Sequence, residues 1–208
     1  MWDTYIVKQY SSDLFRLLDT KNEYIISNGL QNIHLSNITV GYDVCNRDLD
    51  TYTSEITYKT FEKLLDEMNI EKIYVNSTLD IENLLPLIDS KCGFKIEFPD
   101  VFNYSSKSSV TCSRGKVSNR MVYALYYTWN IVQQVTNVKE CSILEIGGGL
   151  GRIPYYAYKF GFKKYTIVDI LSTNIIQFHY NSCVFGSHNV SLFGETNFNA
   201  CFFEFNAV

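Results

Sequence analysis

The sequence predicts an α/β protein, an open parallel sheet of the nucleotide-binding kind preceded by a smaller α+β region. Three observations carry that expectation. Residues 141–169 read as a buried strand, a glycine-rich turn, a helix and a second strand. Acids stand at the ends of both strands, Glu145 and Asp169. Upstream, short helical and strand-like pieces lead into a polar, serine-rich stretch. The expected organisation is an accessory α+β region over residues 1–102, a linker or lid over 103–117, and a ligand-binding domain over 118–208.

Apolar residues make up 46% of the 208-residue chain, enough for a sizeable core and too many for a disordered one. A net charge of −4 gives no electrostatic reason to expect nucleic acid, whose phosphates need a basic face. No stretch reaches the roughly 18 apolar residues of a membrane span. The start, Met-Trp-Asp-Thr-Tyr, lacks the basic and apolar regions of a secretory signal. The six cysteines (Cys45, Cys92, Cys112, Cys141, Cys183, Cys201) form no CxxC pair. Cys141 falls in an apolar strand and Cys183 in a helical pattern, so reduced thiols and a cytoplasmic location are expected. Neither the cysteines nor the three histidines show zinc-ligand spacing, and no metal is expected.

Taken in order, residues 3–19 read as a helix, with Tyr5, Ile6, Phe15, Leu17 and Leu18 apolar among polar neighbours. Residues 22–50 hold β-like pieces such as 33–40, broken by Gly29 and Gly41. From Ser54 a helical spacing returns through Ile56, Phe61, Leu64, Leu65 and Met68. Residues 73–75 suit a short strand, and 79–88 a helix that Pro86 bends or ends. Residues 94–98 alternate apolar and polar, as a strand does. The polar run 103–117 then reads as an exposed linker, or as a loop that closes over a site when substrate enters.

Ser118 can cap a helix over 119–136, whose apolar face is Met121, Val122, Leu125, Trp129, Val132 and Val135. Tyr123, Tyr126 and Tyr127 enrich it in aromatics, and Arg120 and Tyr127 are candidate pocket residues. Residues 143–146 are apolar, as in a central parallel strand, except for Glu145 at its carboxyl end, where open α/β sheets bind ligands. Gly147, Gly149 and Gly151 follow two apart. A dinucleotide fingerprint, G-x-G-x-x-G, would need its third glycine at Arg152 or at Pro154. A helix over 151–160 begins at the turn, tolerates Pro154 in its first turn and ends at Gly161. Asp169 then lies 20 residues beyond Gly149, a spacing that suits hydrogen bonds to ribose hydroxyls. A helix over 170–184, in which His179 is a packed or surface residue, leads to a third strand at 189–193 and to Glu195.

The E-x-G-x-G-x-G pattern resembles the first motif of class I S-adenosylmethionine-dependent methyltransferases. Residues 143–151 and 163–169, with the Gln177-Phe-His-Tyr180 helix and residues 191–195, look like a family of sugar O-methyltransferases. The likeness covers roughly residues 118–195. It implies a Rossmann-like class I sheet and S-adenosyl-L-methionine as cofactor. Glu145, Gly147, Gly148, Gly149, Gly151, Asp169 and Ile170 would form its binding site, with Glu195 near the adenine ring. Glu145 suits the cofactor's α-ammonium group, and the helix amino end, with Arg152, suits its carboxylate. The implied activity is methyl transfer to a hydroxyl of a small molecule, a sugar or glycan precursor, with the general base unassigned. Competing expectations are an NAD-dependent oxidoreductase and a non-catalytic cofactor-binding remnant. Only three of the seven strands of a class I sheet are accounted for, so a chain lacking the carboxyl-terminal half is expected. A homo-oligomer is compatible with the aromatic content, and its face is not located.

Overall fold

The computed structural model of the chain describes residues 50–71, 73–101, 109–169, 171–186, 189–191 and 201–204. The helix expected over 3–19 and the β-like pieces of 22–49 lie outside these residues. Among the described residues the architecture is mixed α/β, five helices with a two-stranded and a four-stranded sheet. No helix among them is long and apolar enough to cross a membrane.

Helix α1 (Asp50–Glu67) starts ahead of the apolar spacing and buries Phe61, Leu64, Leu65 and, just past its end, Met68. Thr60 sits on the same covered side, its hydroxyl donating back to the Ile56 carbonyl at 2.7 Å, which satisfies the oxygen within the helix. The strand expected at 73–75 does not form. Val75 is buried there, but its N–H donates to Glu62 Oε1 of α1 at 3.1 Å, so a helix side chain takes the bond a neighbouring strand would have taken.

Helix α2 (Thr78–Cys92) opens on a reciprocal cap. The Asp80 N–H donates to Ser77 Oγ, and the Ser77 hydroxyl donates to Asp80 Oδ2 at 2.7 Å. These bonds hold the Asp80 carboxyl below its ordinary value, the Ser77 hydroxyl being the main cause. Of the two outcomes expected of Pro86, bending or ending, it does not end this helix. Ile81, Leu84, Leu85 and Ile88 are fully buried on both sides of it, and that packing carries the helix across the missing amide donor. Gly93, left-handed at φ 80°, closes the end.

Residues 94–98 keep the burial alternation of a strand, Ile96 and Phe98 in and Lys95 and Glu97 out, yet make only one bridge, Phe98 to Gly115. The Ile96 N–H goes to Asp89 Oδ1 and the Phe98 N–H to the Arg114 carbonyl, so no ladder is built. Arg114 Nη1 reaches both Asp89 oxygens at 2.6 Å and the Ile96 carbonyl at 3.1 Å, locking this segment to α2.

Strands β1 (Val110–Cys112) and β2 (Gly115–Val117) form an antiparallel hairpin in the register Val110↔Val117. The described part of the expected linker or lid therefore contains a hairpin. Val110 and Val117 are buried in one core with α1, α2, the following helix α3 (Asn119–Gln134) and Tyr155 and Tyr156. Hydrophobic packing therefore runs without a break from the upstream helices into the motif-bearing half. Ser118 takes the N-cap position of α3 without a side-chain capping bond, its backbone carbonyl serving the first turn instead.

Strand β3 (Ser142–Ile146), helix α4 (Ile153–Phe160) and strand β4 (Lys164–Val168) follow as a parallel β–α–β unit, with Glu145 opposite Ile167. Gly161, left-handed, ends α4 as the sequence predicts. Helix α5 (Leu171–Phe185) leads to β5 (Val190–Ser191), and β6 (Cys201–Glu204) completes the sheet.

Two features depart from the expected parallel sheet. The strand order is β3-β4-β6-β5, so β6 lies antiparallel between β4 and β5. Strand β3 is also an edge strand among the described residues, not a central one. Ile143 and Glu145 face the covered side, while Leu144 and Ile146 are 64% and 81% exposed. Its apolar run arises from one packed face and one open face, a pattern that residue type alone does not separate from double-sided burial.

Candidate functional site

The turn leaving β3 is closed by backbone bonds. The Gly147 N–H donates to the Val168 carbonyl at 2.9 Å and the Gly151 N–H to the Gly148 carbonyl at 2.9 Å. Gly147, Gly149 and Gly151 have φ of 76°, 58° and 73°, a region that side chains disfavour. Two of the glycines are demanded by the fold itself. A Cβ at Gly148 would stand 2.8 Å from Ile167 Cγ2 and 2.9 Å from Glu145 Oε2, and one at Gly151 would stand 2.6 Å from Asn181 Nδ2. Gly147 differs. A Cβ there would meet nothing within 4 Å, so this position leaves open space for a ligand.

That space is a cavity of about 260 Å³ between the turn and α3. Glu145, Gly147, Gly148 and Gly149 line it from the strand and turn, and Arg152 and Ile153 from the start of α4. Arg120, Tyr123 and Tyr127 line it from α3, so both pocket candidates on that helix lie there. Tyr123 and Tyr127 stack with ring centroids 5.9 Å apart, and Lys63 Nζ lies 5.7 Å from the Tyr123 centroid. Tyr127 is half exposed at the mouth, whereas Arg152 is buried.

Glu145 accepts a hydrogen bond from the Tyr165 hydroxyl at 2.8 Å, across the parallel pair from β4. Burial pushes its carboxyl above the ordinary carboxylate value. The Tyr165 bond opposes that rise and the nearby Asp169 charge adds to it. Burial, joined by the Glu145 charge, pushes the Tyr165 hydroxyl far above its usual value, so it stays a donor.

Asp169 stands apart from the cavity lining. Its Oδ2 accepts from Gln177 Nε2 at 2.9 Å and its backbone carbonyl from Asn174 Nδ2 at 3.1 Å. The two acids therefore come close enough to interact, while only Glu145 lines the cavity. Gly151 packs under the turn against Asn181 and Gln177 and is not in the lining. Ile170 and Glu195 lie outside the described residues. His179 is buried in α5, its burial holding its basicity down, with Nε2 3.8 Å from Cys183 Sγ.

The larger concavity lies elsewhere. A cleft of about 780 Å³ runs between residues 95–101, the outer face of α4 and the end of α5, lined among others by Glu97, Tyr155, Tyr158, Lys159 and Cys183. None of the residues singled out from the sequence as cofactor ligands lines it. Size alone names no chemistry. The smaller cavity joins a glycine turn, an acid, two arginines and a helix start, and is the candidate site for that reason.

Sequence reading missed Tyr165 and the amides of α5. A parallel register pairing residues 143–146 with 165–168 brings Tyr165 to the side of Glu145, and that register is not visible in either strand alone. Asn174, Gln177 and Asn181 recur at helical spacing as three amides on one face of the helix, and that was the available signal. Among the described residues no group of three or more His, Cys, Asp or Glu is placed to hold a metal ion. The chain matches no protein-family model, no curated protein and no solved structure.

Proposed function

We propose that the chain binds S-adenosyl-L-methionine in the cavity beside the glycine turn and transfers its methyl group to a hydroxyl of a sugar or similar small molecule. The observation that carries the reading is the charge arrangement of the cavity. Glu145 and the pair Arg120 and Arg152 line one space at the start of α4. An α-amino acid head group needs that combination, an acceptor for its ammonium and donors for its carboxylate. The amino end of α4 adds amide donors on the carboxylate side, and Gly147 leaves the turn open to a ligand.

The cofactor would supply an activated methyl group. The chain's own part is to hold the methionine end, exclude water and present the acceptor oxygen in line, so that positioning carries most of the rate. Tyr123 and Tyr127 form an aromatic wall at the mouth against which a ring can lie. Glu145 is assigned to the ammonium group, and the general base is not assigned to any residue.

A second reading, a binding module without turnover, is favoured by the size of the cavity. About 260 Å³ lies below the roughly 300–1,000 Å³ of pockets that enclose whole drug-sized ligands. NAD is disfavoured by the glycine spacing, since Arg152 or Pro154 stands where the dinucleotide turn needs glycine. Incubation with methyl-labelled S-adenosylmethionine and a panel of free and nucleotide-linked sugars separates the readings. Label on a sugar supports the transferase. Cofactor binding with no label transferred to any sugar favours the binding module.

A further inference from the structure

We propose that Gln177 is a positioning residue for the cofactor, joining the glycine turn to the acid at the end of β4 so that both present fixed groups to the ribose. The inference rests on the reading above and goes beyond it, because Gln177 touches no ligand. Its side chain is fully buried beneath the turn, at 0% exposure. From there Nε2 donates to two acceptors, the Gly149 carbonyl at 3.0 Å and Asp169 Oδ2 at 2.9 Å. One amide nitrogen with two hydrogens therefore ties together two elements 20 residues apart in sequence.

The rest of the helix face supports that clamp. Asn174 holds the Asp169 backbone carbonyl, and Asn181 Nδ2 donates to the Gln177 carbonyl at 2.8 Å from the space a side chain at Gly151 would need. Gln177 and Asn174, on one buried face of α5, thus hold the turn and the acid, and Asn181 bonds the backbone carbonyl of Gln177 one helical turn away. The chemistry of the clamp matters as much as its geometry. A lysine or arginine here would neutralise Asp169. A neutral amide orients the carboxylate without cancelling the charge with which it can accept hydrogen bonds. Asp169 lies near enough to Glu145 for its charge to add to the burial that raises the Glu145 carboxyl.

The test compares Gln177→Met, which keeps volume and removes the donor, with wild-type protein in titrations of two probes. One is S-adenosylhomocysteine, and the other is its analogue lacking the ribose 2′- and 3′-hydroxyls. The variant should lose about tenfold in affinity for the first, the worth of one well-formed hydrogen bond, and little for the second. Gln177→Asn, which keeps the amide and shortens its reach, is read in the same way if Gln177→Met does not fold. Equal loss for both probes, or no loss for either, overturns the positioning role. Wild-type protein that binds neither probe overturns the cofactor reading and this inference together.

Discussion

Gly151→Ala separates what the fold demands of the glycine turn from what a ligand demands. Alanine at φ 73° would sit in the left-handed region, which costs roughly 1–2 kcal/mol. Its methyl would also stand 2.6 Å from Asn181 Nδ2, in a fully buried amide with no solvent to turn into. Moving that amide breaks its 2.8 Å bond to the Gln177 carbonyl, adding about 1–3 kcal/mol for a buried donor left unmade. The expected total is about 3 kcal/mol. Gly147→Ala is the control, because it shares the backbone strain at φ 76° and meets no atom within 4 Å. It should lose only about 1–2 kcal/mol, and its methyl should enter the cavity and weaken ligand binding. Urea denaturation reads both as midpoint shifts at unchanged slope. Equal destabilisation of the two variants would refute the packing role given to Asn181.

Two further outcomes follow from the same geometry. Burial holds the Glu145 carboxyl above the ordinary 4.5, so the folded chain binds that proton more tightly than the unfolded one. Stability from this group is then full below the unfolded value and is lost as pH rises through the folded value. Glu145→Gln should match wild type in acid and exceed it at neutral pH in thermal melts, while losing affinity for the cofactor; a variant less stable at neutral pH would contradict this. Among the described residues β3 is an edge strand whose open face carries Leu144 and Ile146, a surface prone to strand pairing between molecules. Leu144→Lys should lower self-association in sedimentation velocity with little change in melting temperature, and unchanged association would remove the edge as its source.

Much of the β–α–β unit was legible because its signals are local. Gly147, Gly149 and Gly151 need backbone freedom, Pro154 fits a first helical turn, and Gly161 closes the helix, all within a few residues of one another. The misread elements depended on distant partners. Residues 94–98 have the alternation of a strand, but Asp89 and Arg114 take two of their donors. Pro86 carries a helix-breaking side chain, but four fully buried neighbours outweigh it. The apolar run 143–146 could not reveal that one of its faces is open, since burial depends on which helices and strands arrive from elsewhere in the chain. At the site, Glu145 was readable from its place at a strand end. Its partner Tyr165 and the Gln177 clamp required the parallel register and the packing of α5 beneath the turn.

Calorimetric titration of the whole chain with S-adenosylhomocysteine and, separately, with NAD tests the central claim most directly. Saturable binding of S-adenosylhomocysteine that weakens in Glu145→Gln, with no response to NAD, is the predicted result. Binding of NAD without any response to S-adenosylhomocysteine would contradict it.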